Sequence, residues 1–288
     1  MSFDMDSFTQ IPDLTDVNSR ILPVLVVSPT TLACVGTAFL IAPDGVAVTA
    51  RHVIDEALVR VDQTPGAEVA VLWVGSGSDV DDVQDLLGGF VRVYQRAVDG
   101  NRSDLALLRI STLSRQGEFY PLPTLALSSR LPPRGNTICA LGYTKFEVES
   151  DTTTQSERLV TIAQDLHSST GRITEVYPDG RDATMLPTAC FETSAQFDAG
   201  MSGGPVFGED GTVCGVVASG MAHDDGYTSF ASATPFVFTL GVRDNGRLVR
   251  VYEMAQQGIV QTDDYFNQMR VNGRPDGTVD LAFVDESE

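Results

Sequence analysis

Gly200-Met201-Ser202-Gly203-Gly204-Pro205 sets one serine in a turn whose glycines let the backbone bend close to a second molecule. Two folds could use it. In a nucleophile elbow, Gly-x-Ser-x-Gly ends a strand and starts a helix, and the acid and then the histidine follow it in the chain. Here Pro205 and the alternating apolar run over residues 206–220, broken at Asp210-Gly211, predict a strand and a hairpin instead. Only His223 follows Ser202, too close for an intervening acid. Partners for the serine are therefore sought upstream. His52 stands in Thr49-Ala50-Arg51-His52 after an apolar strand, and Asp104 in Ser103-Asp104-Leu105-Ala106-Leu107-Leu108 opens another. His167 lies in Gln164-Asp165-Leu166-His167-Ser168, which alternates like a half-exposed strand, and His223 precedes the loop Asp224-Asp225-Gly226.

The chemistry explains why these three types belong together. A serine hydroxyl is a weak nucleophile at neutral pH, so a base must take its proton as it attacks a carbonyl. Histidine titrates near the working pH. A carboxylate on its far nitrogen fixes the tautomer and stabilises the imidazolium that forms. The tetrahedral intermediate carries a new negative oxygen, which the backbone N–H groups of Gly200 and Ser202 can meet once the glycines shape the turn. The order His52, Asp104, Ser202 is one of several in which such triads occur.

Flanking residues carry a family resemblance. The stretch Gly36-Thr37-Ala38-Phe39-Leu40-Ile41-Ala42-Pro43-Asp44-Gly45, followed by Val46-Ala47-Val48-Thr49-Ala50-Arg51-His52-Val53, resembles the first-barrel signature of bacterial trypsin-like serine peptidases, notably the high-temperature-requirement type. Asp198-Ala199-Gly200-Met201-Ser202-Gly203-Gly204-Pro205-Val206-Phe207 is similar to their serine loop, and Cys214-Gly215-Val216-Val217-Ala218-Ser219-Gly220 to the strand after it. The resemblance spans residues 20–240 and implies an all-β fold of two six-stranded antiparallel Greek-key barrels, with the active site in the cleft between them. Apolar runs of period two fit that expectation. Residues 21–27, 35–42, 46–49, 69–73, 90–94 and 105–110 supply candidate strands for the first barrel. Residues 137–141, 159–165, 171–177, 189–193, 204–207, 213–218 and 229–235 supply those of the second. The division expected is an arm (1–19), the first barrel with His52 and Asp104 (20–115), a proline-bearing connection (116–136), the second barrel with Ser202 (137–240) and a short helix and strand extension (241–288).

In that extension Leu248, Val251 and Met254 are spaced like one helix face, and residues 278–285 read as a last strand. It is too short for the PDZ domain such proteases usually append. The resemblance also places a specificity pocket at Gln196 and Phe197, with Ala218, Ser219 and Gly220 as walls. Gln196 offers no carboxylate for Lys or Arg, so small or medium apolar side chains are expected there. Ala218 stands where many relatives place a serine near the aspartate, and Met201 where zymogen relatives carry the aspartate that receives a new N-terminus. A cut at the N-terminus is therefore not expected to be the switch.

Composition narrows the partners. A net charge of −20 disfavours nonspecific binding to nucleic acid or anionic membranes, and no run is long and apolar enough to span a bilayer. The acidic start, with Asp4, Asp6, Asp13 and Asp16, is unlike a signal peptide, which predicts a cytoplasmic protein. Cys34, Cys139, Cys190 and Cys214 are widely separated and are read as free buried thiols. The acidic run 79–85 lacks the glycine and spaced ligands of an EF-hand, and Ser78 reads as a helix cap there, so no metal or cofactor is expected. The activity expected is a serine endopeptidase acting on protein or peptide. A regulatory protein partner is a further expectation. An esterase or amidase using the same serine, or an idle scaffold of this fold, is the alternative.

Overall fold

The computed structural model describes residues 6–14, 17–29, 32–76, 86–98, 103–111, 114–115, 118–119, 121–151, 159–223, 226–274 and 279–283. Strand β1 (Phe8–Gln10) precedes the strands β2 (Ile21–Val27), β3 (Leu32–Ala42) and β4 (Val46–Thr49). Helix α1 (Arg51–Gln63) then leads to β5 (Glu68–Ser76), β6 (Leu86–Val98) and β7 (Ala106–Ile110). Strands β2 to β7 close into a barrel in the order β2-β3-β4-β7-β6-β5. After the small pair β8 (Ser114–Arg115) and β9 (Glu118–Phe119) come β10 (Thr137–Asp151), β11 (Leu159–Tyr177), β12 (Cys190–Thr193), β13 (Pro205–Phe207), β14 (Val213–His223) and β15 (Gly226–Ala233). These run β11-β10-β13-β14-β15-β12, and the pairing of β11 with β12 closes a second barrel, to which β1 adds on the outer edge of β11.

The two rings share one topology. In each, three consecutive strands are followed by a fourth that returns beside the first, β5 beside β2 and β13 beside β10, which is the Greek key. The expected architecture of two six-stranded antiparallel barrels is the one found. Alternation decides what each strand buries. Leu22, Val24 and Val26 of β2 point into the first barrel with Leu40, Ala47, Val71 and Leu108. Ile138, Ile173, Phe191, Val206 and Val217 fill the second. A third apolar cluster joins Ile21, Phe39 and Leu105 of the first barrel to Tyr143, Leu166 and Val213 of the second. Phe238, Met254, Phe266 and Met269 from the C-terminal segment complete it.

Several elements differ from the sequence reading. Helix α1 was not expected, although Val53, Ile54 and Ala57 recur at helical spacing and are the face it buries. Residues 159–165 and 171–177 are not two strands but parts of the single strand β11. Gly171 permits this continuity, because a Cβ there would run into the backbone of Ala195. In the extension, Leu248 lies on the hairpin β16 (Gly241–Asp244) and β17 (Arg247–Arg250), exposed, and not on the helix. Val251 and Met254 do lie on helix α2 (Val251–Gln256) and are buried. A final hairpin, β18 (Met269–Gly273) and β19 (Val279–Phe283), follows. All four cysteines are free thiols, but Cys34 is only half-buried. The acidic run 79–85 and Ser78 lie outside the described residues.

The shared cluster sets an expectation for stability. Phe238→Ala, which empties a fully buried position where both barrels and the extension meet, should cost roughly 3–5 kcal/mol in urea unfolding. Leu248→Ala should change it by no more than about 0.5 kcal/mol, because Leu248 is exposed. A large loss from Leu248→Ala would return that residue to a buried helix face.

Candidate active site

Helix α1 begins at the end of β4 with Ala50 as its N-cap, a residue with no side chain able to satisfy the first N–H groups. Asp104, one turn of chain before β7, fills that role from outside. Its Oδ1 accepts the backbone N–H of His52 at 3.1 Å. The same carboxylate meets His52 Nδ1 at 2.9 Å through Oδ2 and 3.0 Å through Oδ1. With Nδ1–H committed to Asp104, the lone pair of the ring sits on Nε2. Asp104 is 13% exposed and His52 44%, so the acid is sheltered and the base faces solvent.

That arrangement sets the histidine's titration. Burial pulls the imidazole down, but the hydrogen bond it donates to Asp104, the charge of Asp104 and those of Glu56 and Asp55 outweigh it, and the net shift is upward from 6.5. A folded value raised above the unfolded one adds stability that is full below pH 6.5. This contribution is lost as the pH rises through the folded value.

The serine turn comes from the second barrel and rests on the first. The Ser202 carbonyl accepts the Thr37 N–H at 2.8 Å. Gly203 has φ +85, and a Cβ on it would run into the Thr37 carbonyl and the Thr49 hydroxyl and stand 2.9 Å from the Ala50 nitrogen. Only glycine fits there, and the fit seats the turn against the junction that launches His52. Gly200 has φ +90 and likewise abuts the Tyr143 carbonyl. Within the turn the N–H groups of Met201, Gly203 and Gly204 are bonded to the carbonyls of Asp198, Val217 and Met201. Among the described residues, those of Gly200 and Ser202 have no acceptor. Ser202 itself is half-exposed.

Thr37 joins the two sides. Its hydroxyl donates to the Gly200 carbonyl at 2.9 Å and accepts the Tyr143 N–H at 3.0 Å, while its carbonyl accepts the Thr49 hydroxyl at 2.7 Å. In the sequence Thr37 is one residue of the Gly36–Gly45 stretch. Nothing in a lone threonine signals a bridge between barrels.

His52 and Asp104 line a cavity of about 590 Å³. Ala218 and Ser219 lie on its wall. Gln196, Phe197 and Gly220 are not on it. Gln196 lines a separate cavity of about 360 Å³ beside Phe8 and Tyr227, its amide donating to Asp198 at 3.0 Å. Phe197 is buried in the second barrel, and Gly220 packs on its carbonyl. In their place the cavity is lined by Ala183, Thr184, Met185 and Leu186, which the sequence reading missed. Asp182 shapes that loop by accepting the N–H groups of Met185 and Thr184. Those two bonds, with Arg181, hold its carboxyl down at about 2.

A family model described as a trypsin-like peptidase domain matches residues 36–216. Among solved structures, that of Deg5 is 18% identical and covers 77% of this chain and 86% of its own, at a TM-score of 0.49. The inactive form of Rv3671c from M. tuberculosis H37Rv, a Ser343Ala mutant, is 22% identical and covers 78% of this chain and 89% of its own, at 0.43. No curated protein matches the chain.

Two measurements test the geometry. An NMR titration of His52 should give a midpoint above 6.5, and Asp104→Asn should bring it down, since the neutral amide keeps neither the charge nor the full bond. A midpoint unmoved by Asp104→Asn would dissolve the pair. Thr37→Val leaves the Gly200 carbonyl and the Tyr143 N–H without the shared hydroxyl and should cost roughly 1–3 kcal/mol. Thr37→Ser, which keeps the hydroxyl, should restore most of it.

Proposed function

Because the chain belongs to the trypsin-like peptidase domain family, we propose that it is a serine endopeptidase using His52, Asp104 and Ser202 as its catalytic triad. The observation that carries this reading is the 2.9 Å contact of His52 Nδ1 with Asp104 beside a glycine turn that packs on the residues leading into His52. Ser202 Oγ attacks the scissile carbonyl carbon as His52 Nε2 takes the hydroxyl proton. Asp104 stabilises the imidazolium without taking its proton. The carbonyl oxygen, now negative, is held by the Gly200 and Ser202 N–H groups, whose freedom from other acceptors supports that role. Collapse of the intermediate breaks the C–N bond, and the proton on His52 passes to the leaving amine. Water then attacks the acyl-enzyme by the same route, with His52 as base, and releases the acid and the free serine.

Ala218 withdraws the serine hydroxyl that many relatives place near the aspartate. The His52 N–H donates to Asp104 and offsets part of that loss. The apolar side chains of Met185, Leu186 and Ala218 beside His52 support a polypeptide substrate with apolar rather than basic residues near the cut. A regulatory protein partner and a cytoplasmic location belong to the same proposal.

The test is direct. Purified protein should react with a fluorophosphonate at Ser202 and cleave a peptide library, and Ser202→Ala or His52→Ala should each lower turnover by roughly 10⁴-fold or more with the fold intact. Peptidase activity that survives Ser202→Ala would remove the assignment. Esters turned over without any peptide cleavage would favour the esterase reading, and a library dominated by Lys or Arg before the cut would overturn the apolar preference.

A further inference from the structure

The arm before the first barrel meets both barrels, its Ser19 carbonyl accepting the Trp73 Nε1–H of the first at 3.1 Å. Strand β1 pairs with β11 of the second, Phe8 opposite Ser169 and Gln10 opposite His167. Polar contacts tie it down on both flanks. Asp6, at φ +52, accepts the Ser194 hydroxyl at 2.9 Å, Ser7 shares a 2.8 Å bond with the Thr170 hydroxyl, and the Gln10 amide donates to Asp165 at 2.8 Å. Ser194 begins the stretch of chain that leads into the serine turn.

Phe8 has two routes to that turn. Its ring stacks on the imidazole of His167, with centroids 4.6 Å apart and planes 13° from parallel. His167 Nδ1 is 2.8 Å from the Thr144 hydroxyl. Thr144 sits at the bulge where the β10–β11 register shifts, and its Cα lies 3.6 Å from where a Cβ on Gly200 would stand. The second route is apolar. Phe8 packs against the cluster that contains Met201, the residue between Gly200 and Ser202. Met201 is fully buried and presses on Gly142 of β10.

We infer that Phe8 is a positioning residue for the Gly200–Ser202 turn, holding it through His167 and Thr144 on one side and Met201 on the other. The residue does not touch the reacting atoms. A turn with two glycines at positive φ has broad backbone freedom, and what surrounds it must select one conformation. With Met201 where a carboxylate could anchor the turn by charge, apolar packing does that work. Loss of the arm should therefore slow the chemistry, the reverse of a zymogen in which cutting the N-terminus activates. The effect on rate rests on the peptidase reading, whereas the effect on the turn does not.

The experiment compares the full chain with Phe8→Ala, Phe8→Tyr and Thr144→Val by two readouts. One is the second-order rate of Ser202 acylation by a fluorophosphonate, and the other is amide hydrogen exchange over residues 199–203 and, as reference, 22–26. Phe8→Ala should acylate roughly tenfold more slowly and exchange faster over 199–203 with 22–26 unchanged. Phe8→Tyr, which keeps the stack, should restore both, and Thr144→Val, which cuts the polar route but leaves the arm, should move both in the direction of Phe8→Ala. Wild-type acylation and exchange in Phe8→Ala would overturn the proposal. So would a loss spread equally over 22–26 and not restored by tyrosine, since that is general destabilisation. If the wild type fails to acylate, the peptidase reading fails by itself, and the exchange comparison still decides the role of Phe8.

Discussion

One buried hydroxyl holds the site together. Thr37 belongs to the first barrel, yet its side chain satisfies a carbonyl and an N–H of the second, and its own backbone bonds both the Ser202 carbonyl and the Thr49 hydroxyl. In a fully buried position each of these groups would cost free energy if left unpaired, so the network favours one relative placement of the barrels. Tyr143 works in the same direction. Its ring is buried, and its hydroxyl donates to the Asn18 side chain and the Ile21 carbonyl at the start of the first barrel. Burial raises the Tyr143 pKa far above the usual phenol range, so it remains a neutral donor.

The repeated topology explains why the connections that carry the proposed base and nucleophile meet. His52 stands on the connection from the third to the fourth strand of the first barrel, and Ser202 on the corresponding connection of the second. A Greek key sends that connection across the barrel end, away from the ladder of hydrogen bonds, where backbone can be shaped by glycines and caps. When the barrels dock, the two connections meet. The cavity beside His52 has the 183–186 loop and the middle of β14 in its walls.

What the sequence told and what it hid divide along one line. Short-range chemistry was legible: glycines around Ser202 announced positive φ, and Gly200 and Gly203 have it. The alternation of apolar residues announced strands, and the family resemblance implied their closure into two barrels. Features decided by partners far away in the chain were not legible. Helix α1 has an ordinary apolar face but no capping residue at Ala50, because its cap is the carboxylate of Asp104. Residues 166–170 fall between two candidate strands, although 166–168 alternate like one, and β11 runs through them because β1, β10 and the close approach at Gly171 hold them extended. The resemblance puts Gln196 at the specificity pocket, whereas it stands in the loop after β12 and off the cavity that His52 lines. Its amide turns instead to Asp198.

The turn around Ser202 thus has little shape of its own. Three of its N–H groups bond to nearby carbonyls, and the Val217 acceptor already belongs to another strand. Every other restraint comes from outside: Thr37 and the β4–α1 junction across the seam, Tyr143 beneath Gly200, and Met201 sunk into the second barrel's core. Glycine freedom allows the turn its shape, with positive φ at Gly200 and Gly203, and the same freedom would let an unsupported turn leave it. The shape of the turn is accordingly a property of the docked pair. Neither barrel holds the turn alone, since the second supplies Tyr143, Val217 and Met201 and the first supplies Thr37 and the junction on which Gly203 rests.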